Sequence, residues 1–238
     1  MDEKAMREFW DARAEENARY YIDNRLDYRD PNDDVFWAHG QAELDMLLDA
    51  VGARIQPTDD VVEIGCGIGR MTHVIASRAA SVRALDVSPR MLQRAREHWG
   101  TLQNVEWILG DGTSLAGIAD ASADVCISHV VFQHIPDPEI TLGYVGELGR
   151  VLRPSGWAAF QVSNDPAIHR KRTGREGLRI LVRALTRCGP RGQADPAWLG
   201  SYIELDRLRG AASDGDMDVE RTSGEGTQLC FVLTRRRA

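Results

Sequence analysis

The sequence is poor in the residues that usually indicate a metal, redox or membrane protein. It has four cysteines in 238 residues, and none forms the C-x-x-C pair of a zinc or dithiol site, since they lie at Cys66, Cys126, Cys188 and Cys230. We expect them to be small buried hydrophobic residues. No apolar run reaches the ~20 residues that a membrane-spanning helix needs. The amino terminus carries charged residues instead of a signal peptide, so a cytoplasmic protein is expected.

An excess of positive charge is also missing. The chain has 29 lysines and arginines against 36 aspartates and glutamates, which gives a net charge of −7. Proteins that capture nucleic acid need a basic surface to displace counterions from the phosphates, so we expect no nucleic-acid partner. A cluster of aspartates lacks the ordered spacing of a calcium-binding loop and is expected to form a solvated acidic loop: Asp23, Asp27, Asp30, Asp33 and Asp34.

The most informative segment that is present is a glycine-rich turn after an apolar run. Residues 61–70 read VVEIGCGIGR, in which β-branched residues precede Gly65, Gly67 and Gly69. Glycines allow the positive φ angles of a tight turn and the close approach of a ligand, although they can also serve only to pack a helix on a strand. The dinucleotide fingerprint G-x-G-x-x-G would need glycine where this chain has Arg70. The turn therefore predicts a nucleotide cofactor other than a nicotinamide dinucleotide.

Two acidic residues follow at the ends of later predicted strands. Asp86 ends the second strand about 20 residues after Gly65, the interval at which doubly wound sheets place an acid that binds ribose hydroxyls. A third strand leads into Asp111 and Gly112, where the carboxylate can accept a hydrogen bond from an adenine amino group.

Predicted strands and helices alternate along most of the chain. Strands are predicted at 60–65, 82–87, 104–109, 123–128 and 157–162, and helices at about 69–80, 89–98 and 138–152. A helix over 198–212 and a closing hairpin of strands 217–221 and 228–234 follow. This alternation predicts a parallel, doubly wound α/β sheet.

Five motifs occur in order along this framework: VVEIGCGIGRMT, ALDVSPRML, GDGTSL, ADVCISHVVFQHIPDP and LGRVLRPSGWAAFQV. Together they resemble class I S-adenosylmethionine-dependent methyltransferases of the small-molecule type, such as those of ubiquinone biosynthesis and natural-product methylation. The resemblance covers residues 58–163 closely. It implies a mostly parallel, seven-stranded Rossmann-like sheet with an antiparallel terminal hairpin and an added helical lid. It also implies S-adenosylmethionine as cofactor and S-adenosylhomocysteine as product.

The resemblance assigns cofactor-binding roles to individual residues. The three glycines of the turn would lie against the methionine and ribose parts. Asp86 would bind the ribose hydroxyls, and Asp111 would lie at the adenine. The predicted cofactor site comprises Glu63, Gly65, Gly67, Gly69, Arg70, Asp86, Val87, Asp111, Gly112, Ser128 and His129.

Two of these residues have alternative interpretations. Glu63 would orient the glycine turn from beneath, or would be an ordinary strand carboxylate bonded to nearby backbone amides. Arg70 would either reach the cofactor carboxylate or lie along its helix as a solvated cation.

The residues that contact the methyl acceptor are less directly indicated. Methyl transfer displaces a sulfonium, which needs no acid, and the protein mainly aligns the reactants. A base matters only for a hydroxyl or a protonated amine. His134 is the preferred catalytic candidate, because imidazole has a suitable pKa of about 6.5, and His129 is the second. The alternative for His134 is that it holds its loop by bonding a backbone carbonyl.

Two further segments are candidates for a lid. Residues 9–21 place Trp10, Arg13, Tyr20 and Tyr21 at helical spacing, either to cover the cofactor or only to dock the helix on the sheet. Arginines recur every three or four residues over 170–191 and predict a basic amphipathic helix. Its members Arg179 and Arg183 would attract an acidic or carrier-bound acceptor or a membrane surface, unless they are only solvated.

We expect a single domain made of four segments. These are an amino-terminal helical cap (1–57), the cofactor-binding core (58–163), a lid insertion with the basic helix (164–197), and a helix and hairpin that complete the sheet (198–238). The predicted function is transfer of a methyl group from S-adenosylmethionine to an oxygen, nitrogen or carbon of a small-molecule metabolite. The alternatives are a catalytically silent cofactor-binding scaffold and a protein methyltransferase. The sequence does not indicate the oligomeric state.

Overall fold

The computed structural model describes residues 3–169 and 190–238, which form a seven-stranded sheet covered by helices. The helices are α1 (Glu3–Ile22), α2 (Asp33–Val51), α3 (Thr72–Ala76), α4 (Pro89–Trp99), α5 (Pro138–Val151), α6 (Pro196–Leu199) and α7 (Leu205–Asp214). The strands are β1 (Asp60–Ile64), β2 (Ser81–Asp86), β3 (Val105–Leu109), β4 (Ala123–Ser128), β5 (Leu152–Val162), β6 (Met217–Ser223) and β7 (Cys230–Arg236). The predicted α/β class is confirmed.

The strand order places the carboxyl ends of the central strands at one edge. The order is β3-β2-β1-β4-β5-β7-β6, in which the first five strands are parallel and β7 runs antiparallel to both of its neighbours. The predicted terminal hairpin is therefore confirmed. The chain moves outward from β1 to β3 and then returns to β4 on the other side of β1. Open α/β sheets bind ligands at such a reversal of strand order.

Two hydrophobic clusters cover the two faces of the sheet. One packs α5 and α7 against the strands, and the other packs α2, α3 and α4 against the opposite face. Because both faces are covered, the central strand β1 is buried from Val61 to Ile64. Glu63 lies within that buried run, so a carboxylate stands in the middle of an otherwise apolar strand.

Three element boundaries differ from the sequence prediction. The predicted helix over 198–212 is interrupted, because α6 ends at Leu199 and Gly200 has φ +59°. A Cβ on Gly200 would lie 1.6 Å from the carbonyl oxygen of Gln133, so contact with a distant segment determines the break. Helix α3 is limited to five residues. Strand β5 begins at Leu152 instead of 157. The strand is distorted near its start, where Ser155 has φ +65°.

Some predictions fall outside the residues that the structure describes. Arg179, Arg183 and Cys188 belong to this group. Within the described ranges, Cys66, Cys126 and Cys230 are buried and unpaired, as expected. No helix in those ranges is both long and apolar enough to cross a membrane, and they hold no cluster of metal-ligating side chains.

Candidate active site

A cleft of about 1130 Å³, including its open mouth, lies at the carboxyl ends of β1, β2 and β4. Its walls come from α1, the glycine turn, the loop after β3 and the segment after β4. The lining residues are Met6, Trp10, Tyr21, Ile22, Glu63, Ile64, Gly65, Cys66, Gly67, Arg70, Met71, Leu85, Asp86, Val87, Met91, Gly110, Gly112, His129, Val130, Val131, His134, Ile135 and Tyr144. Most of the residues that the sequence singled out are therefore brought together.

The glycine turn forms the floor of the cleft. Gly65 and Gly67 have φ of +77° and +56°, a region that side chains disfavour. A Cβ on Gly65 would lie 2.2 Å from a methyl carbon of Val131 across the cleft. Gly69 also has a positive φ, but it faces Trp99 and Trp107 and does not line the cleft. Its glycine is required by packing of the turn on aromatic rings, not by the cleft.

Asp86 connects the end of β2 to the glycine turn. One carboxylate oxygen accepts a hydrogen bond from the backbone N–H of Gly67, and the other accepts one from Ser88, each at 2.8 Å. Burial raises the pKa of Asp86 to about 6. The carboxylate lines the cleft while it fixes the turn, which places an acceptor for hydroxyl groups next to the glycines.

Glu63 is buried near the end of β1 and lines the cleft. Its carboxylate accepts a hydrogen bond from the hydroxyl of Thr72 at 2.5 Å, which ties β1 to the start of α3. Burial raises the pKa of Glu63 to about 7, and the nearby charge of Asp86 adds to the increase.

Arg70 is buried, so the interpretation as a solvated cation is wrong. Only 5% of the residue is exposed, and its guanidinium pairs with Glu43 and lies 3.6 Å from the carboxylate of Asp23. The guanidinium also lies over the ring of Phe36, 5.6 Å from its centroid. Its Nε and Nη1 atoms are buried without a hydrogen-bond partner.

Arg70 belongs to a set of paired ionisable residues, buried except for the exposed Arg25 and the partly exposed His39, that we call the charge cluster: Asp23, Arg25, His39, Glu43, Arg70 and His129. Burial would raise the pKa of Glu43, but the hydrogen bond from His129 and the charge of Arg70 outweigh it and hold the pKa at about 2. His129 Nε2 lies 3.4 Å from Glu43, and His129 Nδ1 is buried without a partner.

Sequence reasoning missed part of this cluster. Asp23 was assigned to a solvated loop, yet it is 4% exposed because Arg25 and His39 bind it from two sides. Glu43 was not singled out at all. Its position gives a signal, because it lies on the buried face of α2 between Gly40 and Leu47, at helical spacing.

Two predicted cofactor residues support the cleft without lining it. Burial would raise the pKa of Asp111, but hydrogen bonds from Ser114 and Thr113 outweigh it and lower the pKa. The adjacent Gly112 lines the cleft, as does Val87 after β2. Ser128 is buried and donates a hydrogen bond to the carbonyl of Ile64 at 3.2 Å.

Helix α1 both docks on the core and covers the cleft. Asp11 accepts hydrogen bonds from the Ser88 hydroxyl and the Arg90 N–H, which fixes α1 to the start of α4. Trp10 and Tyr21 line the cleft.

The other two lid candidates of residues 9–21, Arg13 and Tyr20, do not line the cleft. Arg13 packs over the rings of Phe9 and Tyr21 and pairs with Glu16 at 3.1 Å. Tyr20 packs edge-to-face against Tyr28 and Tyr21. They shape α1 from behind the cleft.

His134 lines the cleft and lies in the short turn Phe132–His134. Its Nδ1 lies 3.0 Å from the carbonyl of Trp198, and its ring meets Trp10 edge-to-face at 5.5 Å. Burial lowers the pKa of His134 to about 4. The bond to a backbone carbonyl is the one that the loop-holding interpretation expects.

Comparison with known proteins gives the same classification as the geometry. Residues 62–160 match the family model of a methyltransferase domain. A malonyl-[acyl-carrier protein] O-methyltransferase from Hahella chejuensis is 34% identical over 41% of this chain and 34% of its own length. A ubiquinone biosynthesis O-methyltransferase from Thiobacillus denitrificans is 27% identical over 69% of this chain and 66% of its own length. The chain thus spans between one third and two thirds of these relatives.

The fold is similar to that of a solved methyltransferase. A phosphoethanolamine N-methyltransferase from Haemonchus contortus, solved with phosphoethanolamine and S-adenosylhomocysteine, superposes with a TM-score of 0.69 at 18% identity. The superposition covers 99% of this chain and 49% of that one. The family match over residues 62–160 and these relatives confirm the resemblance to class I S-adenosylmethionine-dependent methyltransferases that the five motifs indicate.

The cleft residues fit the cofactor of this class. Gly65 and Gly67 give the turn at the floor of the cleft its positive φ angles, and Asp86 offers a carboxylate to the ribose hydroxyls. The Nε and Nη1 atoms of Arg70, which lack hydrogen-bond partners, can donate to a carboxylate. S-adenosylmethionine carries both groups.

Proposed function

We propose that this protein transfers the methyl group of S-adenosylmethionine to an oxygen, nitrogen or carbon atom of a small-molecule metabolite. The observation that carries the proposal is the position of Asp86, whose carboxylate lies in the cleft and binds the N–H of Gly67 at 2.8 Å. This contact joins the two elements that a nucleoside needs, a hydroxyl acceptor and an open backbone. The cofactor supplies an activated methyl group on a sulfonium.

The residues of the cleft divide the work of binding. Asp86 would accept hydrogen bonds from the ribose hydroxyls, with Val87 beside it. The turn at Gly110 and Gly112, held by Asp111, would contact the adenine. The methionine carboxylate would bind Arg70 in the charge cluster, where Nε and Nη1 lack hydrogen-bond partners and Nη1 lies 3.6 Å from Asp23.

The part of the cleft around His134 would hold the acceptor. Among the described lining residues, Glu63, Arg70, Asp86 and His129 lie at the glycine turn and the strand ends. Trp10 and Ile135 line the cleft beside His134, whereas Ile22 and Val131 lie against the glycine turn. Such a surface excludes water around the sulfonium and the attacking atom, and alignment of reactants can contribute about 7–11 kcal/mol.

The two predicted catalytic histidines occupy different parts of the site. His129 is joined to Glu43 in the charge cluster, which suits a role at the cofactor. His134 lines the cleft beside Trp10, so we assign to it the contact with the acceptor.

The acceptor itself is a small molecule, either free or linked to a carrier protein. The Hahella chejuensis relative acts, by its name, on malonyl-[acyl-carrier protein], which supports including carrier-linked acids in an acceptor screen. Charge reversal at Arg179 and Arg183, which lie outside the described residues, would raise the Michaelis constant of a carrier-linked acid and leave that of a neutral acceptor unchanged.

Calorimetric titration tests the proposal first. We expect saturable binding of S-adenosylmethionine and S-adenosylhomocysteine, and none of NADH. Arg70→Met should weaken both, whereas Arg78→Met, which removes a partly exposed ion pair with Asp45 outside the cleft, should not. Release of S-adenosylhomocysteine with an acceptor would then establish turnover. Binding of NADH alone, or of none of the three, would refute the proposal, and binding without turnover over a broad acceptor set would favour a silent scaffold.

A further inference from the structure

Two buried glutamine side chains link β5 to the cleft, and the first of them has a fixed orientation. Gln161 is fully buried, and its Oε1 accepts the N–H of Val130 at 3.1 Å, while its Nε2 donates to the carbonyl of Gln228. A backbone N–H can only donate and a carbonyl can only accept. The main chain therefore determines which end of the Gln161 amide is oxygen and which is nitrogen.

This orientation passes to the second glutamine. Gln161 Nε2 also donates to Gln133 Oε1 at 3.0 Å, so the other end of the Gln133 amide is its NH₂ group. That group lies 3.2 Å from Nε2 of His134. Because an amide nitrogen donates and does not accept, His134 Nε2 must carry a lone pair.

The opposite side of the imidazole leads independently to the same tautomer. His134 Nδ1 lies 3.0 Å from the carbonyl oxygen of Trp198, which can only accept, so Nδ1 carries the proton. A protonated ring would place an Nε2–H against the N–H of Gln133. The Trp198 carbonyl thus fixes a proton on Nδ1, and the Gln133 amide disfavours a second proton on Nε2.

We infer that Gln161 and Gln133 are positioning residues that fix His134 as its neutral Nδ1–H tautomer and prevent it from taking up a proton. The inference deepens the proposed function, because it decides how His134 meets an acceptor. His134 then acts as a neutral wall of the cleft held in its loop, and an acceptor's proton does not pass to Nε2 while Gln133 occupies it.

The surroundings of His134 contain few groups that would oppose this state. Trp10 of α1 packs against the ring, and burial outweighs the carbonyls of Trp198 and Ala197 in α6, which favour the protonated ring, so that the pKa of His134 is lowered. Among the described residues that influence its charge, His169 is the titratable one, and it adds to the pressure against a second positive charge. His169 itself bonds the carbonyl of Leu199 and the hydroxyl of Ser163.

The backbone next to the cleft gives Gln161 a second role. Val130 has φ +56°, a strained conformation that is rare for a β-branched residue. The hydrogen bond from its N–H to Gln161 helps to hold this conformation. Gln161 thus positions both Val130 and, through Gln133, the ring of His134.

Nitrogen-15 NMR of the full chain tests the inference without cofactor or acceptor. The chain has six histidines, and His134 is assigned by its absence from the spectrum of His134→Asn. We expect the wild-type ring to show a protonated Nδ1 and an unprotonated Nε2, unchanged between pH 5.5 and 8.5. An Nε2–H tautomer, or titration near the ordinary value of about 6.5, would overturn the inference.

Replacements at Gln133 provide the second measurement. Gln133→Glu places a carboxylate against Nε2, so we expect His134 to become an imidazolium that titrates above pH 6.5. Gln133→Met removes the donor while keeping the length of the side chain, and His134 should then titrate at a higher pH than in wild type. Gln93→Glu, which adds the same charge on the exposed face of α4, is the control and should change nothing.

The result separates this inference from the proposed function. If His134 titrates normally but S-adenosylmethionine binds, the positioning role fails and the methyltransferase proposal stands. If His134 keeps the Nδ1–H tautomer but S-adenosylmethionine does not bind, the positioning role stands and the methyltransferase proposal fails. Unchanged His134 resonances in Gln133→Glu would contradict the positioning role whatever the activity.

Discussion

The raised pKa of Asp86 leads to a pH dependence of cofactor affinity. Ribose hydroxyls donate hydrogen bonds, so Asp86 must be ionised to accept two of them while it also holds Gly67 and Ser88. Burial raises its pKa to about 6 in the protein without ligand. Lowering the pH from 7 to 5 should therefore weaken binding of S-adenosylmethionine about tenfold, which corresponds to about 1.4 kcal/mol.

The variant Asp86→Asn removes the charge and keeps the shape. We expect it to bind S-adenosylmethionine more weakly at pH 7, since a hydrogen bond to a charged group contributes about 1.5–3 kcal/mol. The remaining affinity of the variant should no longer fall with pH through titration of Asp86. Titration of the ligand's own amino group affects both proteins equally, so the difference between their slopes isolates Asp86.

Unfolding of the variant does not explain such a loss. A carboxyl whose folded pKa lies above its unfolded value of 3.8 destabilises the folded state at neutral pH, and its replacement relieves this. Against that, Asn directs an NH₂ group at one of the two N–H donors and leaves it unsatisfied, which costs about 1–3 kcal/mol. The two effects oppose each other, so the melting temperature should change little.

Calorimetry at pH 7, 6 and 5 in matched buffers measures the effect. Asp206→Asn, which removes a fully exposed carboxylate on α7, is the control and should behave as wild type. A wild-type affinity that does not fall between pH 7 and 5 would refute the assignment of Asp86 to the ribose. The same slope in Asp86→Asn would do so as well, because the titrating group would then lie elsewhere.

Further predictions concern the stability of the protein and the close packing of α2 and α5. Glu43→Gln should destabilise the protein by ~3 kcal/mol at pH 7, because the folded pKa of about 2 lies below the unfolded value of 4.5. That contribution is present above pH 4.5 and is lost as the pH falls toward 2, so urea titrations should show a smaller gap at pH 3.5, and a constant gap would contradict the assignment. Gly149→Ala places a Cβ 1.6 Å from a carbonyl oxygen and should cost about 1–3 kcal/mol or more by thermal unfolding, whereas Gly143→Ala on the same helix meets no atom within 4 Å and should be neutral or stabilising. Gly40→Ala, whose Cβ would lie 2.1 Å from the carbonyl oxygen of Arg70, should reduce both stability and cofactor affinity, and an unchanged affinity would show that α2 does not support the site.

The sequence predicts the parts of the fold that local patterns determine. The apolar run before Gly65 and the alternation of strands and helices indicate a doubly wound sheet, and the structure agrees within a few residues at most boundaries. The break between α6 and α7 is different, because Gly200 adopts its conformation only where it meets Gln133, 67 positions earlier. No local signal carries that contact.

The same distinction applies to the site. Asp86 and the glycine turn were visible because their spacing along the chain is characteristic of the fold. The burial of Asp23 and Glu43 was not, because it depends on Arg70 and His129, which reach them from other elements. An isolated acidic residue is usually exposed, because burying its charge without a partner costs free energy.

Arg70, which stands where a dinucleotide fingerprint would have glycine, also explains why α2 belongs to the site. In that fingerprint the third glycine lets a helix pack closely on the strand. Here the close approach is made by Gly40, which contacts the backbone of Arg70, and the Arg70 side chain is then free to meet Glu43 one turn further along α2. Because Gly40 and Glu43 share the buried face of α2, the glycine that provides space and the carboxylate that provides charge come from one helix. The amino-terminal segment therefore positions the cationic group of the cleft as well as covering it.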